Sequence, residues 1–273
     1  MTGFELRLCL VGSDMCIRDR QYFYHAHRNG EHYARVPDAY RPADLDQAYA
    51  AQARFVELLS DHPRSVAGYN IAVTSQVIQQ LVGLDHPCLG VIRSGLVHSA
   101  PAVLPRSNFY HPAVECEIAF KLKDDLVPLA DGHDRETVTE SVESCHTAFE
   151  IIDDRYADYS TMDAFSLIAD NCWCAGVVLG PAITNWQSLP LDRLTGTLRI
   201  NEKTAGQGVT RDALGHPLEG LAWIANRLAR QEQYLRAGMV VITGSIIATE
   251  FLEAGDNAVF AVDHLEETAL ALT

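Results

Sequence analysis

The sequence predicts an α+β chain with a helical N-terminal part packed on a β-rich body, and three observations carry that reading. Leu45, Ala48, Tyr49, Gln52, Phe55 and Leu59 recur at three- and four-residue steps, the period of a helix with one buried stripe. From Val114 to Leu122 the residues alternate strictly, with Val114, Cys116, Ile118, Phe120 and Leu122 on one face, the two-residue period of a strand. Beyond Val91 short strand signals dominate over two helical patterns, so the chain does not read as doubly wound.

Taken in order, Asp44 and Gln47 form a capping pair ahead of the first helix, which runs to about Ser60. After Pro63 the pattern shortens through Val66 to Thr74, and a second helical stretch covers Ser75 to Leu81, stopped by Gly83. Val91 to Leu104 reads as short strands and turns. Val138, Val142, Cys145 and Phe149 mark a further helix with Glu136, Glu140 and Glu143 outward, and Ile151-Ile152 begin an extended run after it. Val177 to Leu179 and Leu198 to Ile200 are strands. Leu218, Leu221, Ala222, Ala225, Leu228 and Ala229 make an amphipathic helix, and Val240 to Thr243 and Ala258 to Val262 close the chain as strands punctuated by Gly244 and Gly255-Asp256. Cys9 to Arg20 has neither period and resembles a translated sequencing-adapter read-through. The expected division is therefore a non-native segment 1–20, a helical region 21–83, and a β-rich, metal-binding catalytic domain 84–273.

Composition removes several function classes. The chain has 273 residues, 48% of them apolar, enough for a large core. No apolar run approaches the roughly 20 residues of a membrane span. Thirty-six acidic against 21 basic residues give a formal charge of −15, which repels nucleic acid and anionic lipid. Lys121, Lys123 and Lys203 are the only lysines, so a phosphate-binding Gly-Lys-Ser loop is absent. Seven irregularly spaced cysteines read as reduced thiols of a cytoplasmic protein, not as staples or a metal finger.

Chemistry enters with the polar face of the 114–122 strand. Glu115 and Glu117 emerge on one side, roughly 7 Å apart. Two readings of such a pair stand open, a water-screened strand face and a divalent-cation site. Hard oxygen donors without flanking histidines favour Mg²⁺ or Mn²⁺ over zinc in the second.

A wider arrangement bears on that choice. His-Pro-Ala-Val-Glu-Cys-Glu-Ile-Ala-Phe (111–120) is followed by Phe-Glu-Ile-Ile-Asp-Asp-Arg-Tyr (149–156) and Ala-Asp-Asn (169–171). Gly68-Tyr69, Gly215-His216-Pro217, Leu221-Ala222-Trp223, Thr243-Gly244-Ser245 and Gly255-Asp256 accompany them. This order resembles the fumarylacetoacetate hydrolase superfamily, in the branch of 2-keto-4-pentenoate hydratases and 4-oxalocrotonate decarboxylases. The resemblance implies a mixed β-roll and a metal triad of Glu115, Glu117 and Glu150, filled by Mg²⁺ or Mn²⁺. It implies a lyase acting on a small 2-oxo acid of aromatic meta-cleavage catabolism, assembled as a homo-oligomer. Carbon–carbon hydrolysis of an acylpyruvate, or silent binding of a 2-oxo acid, are the alternatives.

The chain departs from that pattern at three places. Asn70 stands after Gly68-Tyr69 where the hydratases carry lysine, Cys88 replaces an acid, and Trp173 replaces the serine of Asp-Asn-Ala-Ser. The remaining candidates are Asp85, Asn171 and Asn70 for catalysis, with His86 and His111 as substitute proton carriers. Thr243 and Ser245 are candidates for a substrate carboxylate and Trp173 for the pocket wall. Arg155 is either a substrate partner or an ion-pair partner of Asp153 or Asp154. With a cation removed and an indole added, the pocket is expected to favour an apolar or aromatic tail over a second carboxylate.

Overall fold

The computed structural model describes residues 15–59 and 66–273. Of the segment 1–20, residues 1–14 lie outside the described residues, and residues 15–20 open helix α1 (Met15–Asn29). Helix α2 (Leu45–Leu58) begins where expected, because the Asp44 carboxylate accepts the Gln47 backbone N–H at 2.8 Å. Phe23 of α1 shares an apolar cluster with Ala51 and Phe55 of α2, its ring centroid 6.2 Å from that of Phe55, so these two helices bury apolar residues against each other. Helix α3 (Gln76–Val82) is likewise capped by Ser75 and closed by Gly83 at φ 81°, the left-handed position glycine takes without strain.

Among the described residues, thirteen strands lie in two sheets. They are β1 (Val66–Ala72), β2 (Cys88–Arg93), β3 (Val97–Ser99), β4 (Ala102–Leu104), β5 (Pro112–Leu122), β6 (Val142–Asp153) and β7 (Cys174–Leu179), then β8 (Thr195–Ile200), β9 (Lys203–Val209), β10 (Val240–Ile242), β11 (Glu250–Phe251), β12 (Asn257–Val262) and β13 (Thr268–Leu272). The larger sheet has the order β2-β1-β10-β5-β6-β7-β3, with β11 alongside β5, and the smaller has β4-β13-β12-β8-β9. β1, from within the 21–83 stretch, sits between β2 and β10. β3 follows β2 after one short turn yet pairs with β7 at the opposite edge. The larger sheet therefore curls into a nearly closed roll.

The two faces of β5 divide the protein. Cys116, Ile118, Phe120 and Leu122 point outward into the main core. There they meet the smaller sheet through Ala258, Phe260 and Leu270, and helix α6 (Pro217–Ala229) through Leu218, Leu221, Ala225 and Leu228. Ala119, Ala148, Val177, Val240 and Ile242 form a second, small apolar cluster inside the roll. Among the described residues no helix is long and apolar enough to cross a membrane.

One element is of the opposite type to that expected from the sequence. Val138 to Phe149 is not a helix; a single turn, α4 (Arg135–Thr139), gives way to the twelve-residue strand β6. Every residue of β6 from Ser144 to Asp153 is buried, because one face meets the core and the other lines the roll. Burial on both sides erases the alternation that marks a strand, and the four-three-four spacing of Val138, Val142, Cys145 and Phe149 then imitates a helix.

Candidate metal centre

Glu115 and Glu117 share the inner face of β5, and Glu150 lies directly opposite Glu115 in the antiparallel register of β5 and β6. One carboxylate oxygen from each falls within 4.8 Å of the others. Glu117 and Glu150 are 0% and 1% exposed, whereas Glu115 is half-buried at the open end. Each carboxylate is anchored by one oxygen. Thr249 donates its hydroxyl to Glu115 at 2.6 Å, the Gly244 N–H donates to Glu117 at 2.6 Å, and the Asn70 Nδ2 donates to Glu150 at 2.8 Å. None of these three partners is a cation.

The other oxygens of Glu117 and Glu150 are buried with no partner, which is costly unless something else claims them. Burial, then the charges of Glu150 and Glu115, push the Glu117 carboxyl well above the usual range. Burial and then Glu115 push Glu150 up to about 8, and burial raises Glu115 despite its Thr249 bond. Three like charges in a dry roll need protons or a counterion. An all-oxygen set with unclaimed lone pairs fits a hard divalent cation. Burial, followed by the Glu150 charge, also raises the Cys174 thiol and keeps it protonated.

Beyond this rung the inner face continues toward the mouth. Ala113 pairs with Ile152, and the next positions outward on the same face are His111 and Asp154. Trp173 packs with Ala113 and Ile152, and its indole meets Tyr33 and Tyr159 edge-on at centroid distances of 5.2 and 5.6 Å. Its Nε1 is buried without a partner. Trp173 reaches this place because Asn171, Cys172 and Trp173 all adopt left-handed backbone, with φ of 56°, 52° and 58°, a strained run for non-glycine residues. Asn171 secures it, accepting the Val91 N–H at 2.8 Å and donating to the Val91 carbonyl at 2.9 Å. At the outer rung His111 Nδ1 lies 2.7 Å from buried Asp154, between the stacked rings of Tyr156 and Phe251. Tyr159 donates its hydroxyl to the other Asp154 oxygen at 3.0 Å.

The remaining sequence candidates fall elsewhere. Asp85 is 97% exposed beside His86. Arg155 pairs at 2.9 Å with buried Asp170 and also bonds His27, so its ion partner is neither Asp153 nor Asp154. Thr243 gives its hydroxyl to the Ile118 carbonyl, and Ser245 gives its own to the Ile247 carbonyl. The turn between them serves the site through the Gly244 N–H instead. Sequence reasoning missed Thr249, Tyr159 and Cys174, none of which carries a local signal, and placed Asp154 only as a partner for arginine.

Fold and centre together define a β-roll protein whose interior gathers three carboxylates at one point. The C-terminal profile of the fumarylacetoacetate hydrolase family matches residues 85–269, and the chain belongs to that family. It is 29% identical over 255 residues to the 2-hydroxyhexa-2,4-dienoate hydratase of Comamonas testosteroni, spanning 93% of this chain and 96% of that protein. It is 30% identical over 221 residues to the 2-keto-4-pentenoate hydratase of Burkholderia vietnamiensis, spanning 81% and 83% respectively. In structure it is similar to the 4-oxalocrotonate decarboxylase of Pseudomonas putida G7 complexed with magnesium and adipate. That match has a TM-score of 0.87 at 22% identity and covers 96% of this chain and 99% of that one.

Proposed function

We propose that this chain is a Mg²⁺- or Mn²⁺-dependent lyase of the hydratase or decarboxylase type, acting on a small 2-oxo acid of aromatic meta-cleavage catabolism. The observation that carries the reading is the triad in which each carboxylate is fixed by one oxygen, with buried oxygens of Glu117 and Glu150 unclaimed. Glu115, Glu117 and Glu150 would hold the ion. When bound, it supplies an electrophile for the carboxylate and keto oxygens of a 2-oxo acid.

The chain's own residues do the rest. Thr249 and the Gly244 N–H orient Glu115 and Glu117. Ala119, Ala148, Val177 and Ile242 keep water from the inner side, which strengthens every charge interaction there. Trp173, Tyr33 and Tyr159 form an aromatic collar one rung outward, where the tail of a chelated acid would lie. Asp154 fixes one nitrogen of His111, leaving the other for proton exchange at the mouth. Arg155, whose guanidinium lies 5.7 Å from the Tyr33 ring centroid, is held by Asp170. This supports an apolar or aromatic tail over a second carboxylate.

Purified protein with Mg²⁺ is expected to change the ultraviolet absorbance of 2-hydroxypenta-2,4-dienoate or of a 2-hydroxymuconate-type acid. Silent 2-oxo-acid binding is the second reading, favoured by buried Cys88 and by the outward Asp85. Tight metal binding without turnover of these acids or of acylpyruvates would establish it. For the tail, Asn70→Lys with Cys88→Asp, then with Trp173→Ser, is expected to raise hydration of 2-hydroxypenta-2,4-dienoate by about one to two decades in kcat/KM, the worth of a charge-assisted contact. Wild type matching the triple variant would refute the altered pocket.

A further inference from the structure

Asn70 stands on β1 directly across from Gly90 on β2. Its side chain crosses the interior of the roll, and Nδ2 reaches Glu150 on β6 at 2.8 Å. Oδ1 is buried with no partner, so the donor half of the amide is satisfied while the acceptor half is not. Such a group is retained where the bond it makes outweighs the one it forgoes. The amide lies over Gly90 so closely that a Cβ there would fall 1.9 Å from Oδ1 and 2.8 Å from Cγ. No side chain at position 90 tolerates Asn70 in this pose, and the movable partner is the amide.

We propose that Asn70 is a positioning residue of the metal centre, and that Gly90 is the space that permits it. Nδ2 claims one Glu150 oxygen and thereby turns the other toward Glu115 and Glu117. With Glu150 held, the three carboxylates meet an arriving ion already arranged, and the ordering cost of binding falls. This inference rests on the carboxylate triad being a cation site. It adds a dependence on two residues that are not ligands, one of them without a side chain.

A double-mutant cycle on the full chain tests it, with Mn²⁺ as the probe and free Mn²⁺ measured by electron paramagnetic resonance. Asn70→Ala is expected to weaken Mn²⁺ binding about ten- to a hundredfold, the range for a lost hydrogen bond to a buried charge. Gly90→Ala is expected to weaken it similarly, by driving the amide off Glu150. The double variant should bind no worse than Asn70→Ala, because alanine at 90 then has nothing to displace. Additive losses, or unchanged affinity in Asn70→Ala, overturn the proposal. Circular dichroism shows which variants fold; failure of both Gly90 variants refutes the steric half, and Asn70→Ala still decides the other. Glu117→Gln separates the two levels. If it loses Mn²⁺ while Asn70→Ala does not, only the positioning role falls; if it binds Mn²⁺ unchanged, the cation site itself falls.

Discussion

Glu150 concentrates the physical problem of the centre in one side chain. Its folded value of about 8 lies above the ordinary 4.5, so without an ion the folded state binds a proton that the unfolded state has released. That contribution is complete below pH 4.5 and is lost as pH rises toward and through 8. Melting temperatures of the metal-free protein should fall across this window, and Glu150→Gln should flatten the fall. A melting temperature that rises across it in the wild type relative to Glu150→Gln would contradict the assignment. Ion binding should also release protons near neutral pH, visible in calorimetry as a dependence on buffer ionisation enthalpy. Glu115 and Glu117 were legible in the sequence because alternation put them on one face. Glu150 was legible only through resemblance. Thr249 and Gly244 reach Glu115 and Glu117 across 134 and 127 positions of sequence, a separation that no local period encodes.

Strand β6 shows what a local pattern conceals. Phe149 points into the core near Phe260, with centroids 6.1 Å apart, while its neighbour Glu150 points into the roll. One strand thus joins the main apolar cluster to the carboxylate group inside the roll. Phe149→Ala should destabilise the protein by about 3–5 kcal/mol in urea unfolding, as a buried phenylalanine does when its cavity cannot collapse. A loss below about 1 kcal/mol would mean that β6 is not packed as described. The capped helices α2, α3 and α6 were read correctly, since each has a stripe of one period and a chemical start signal. β9 was missed because Lys-Thr-Ala-Gly-Gln-Gly-Val is a polar, glycine-rich edge strand. α5 (Ala164–Ala169), only six residues long, is too short to show a period.

At the scale of the molecule, the helical layer, the roll and the smaller sheet pack as successive coverings of one interior. Val77, Ile78 and Leu81 of α3 are left 75%, 38% and 50% exposed, and a homo-oligomer remains the expectation; light scattering at micromolar concentration should exceed the mass of one chain, and a clean monomer would remove it. The pairing of β3 with β7 has a kinetic corollary. The triad lies inside that roll, and the packed rings of Trp173, Tyr33 and Tyr159, one rung outward, narrow the way to it as a neck. A chelator too large to pass the neck must wait for the protein to breathe. Stripping of Mn²⁺ by excess EDTA should therefore proceed at a rate that saturates with chelator concentration, and Trp173→Ala should raise that plateau while leaving Glu115, Glu117 and Glu150 untouched.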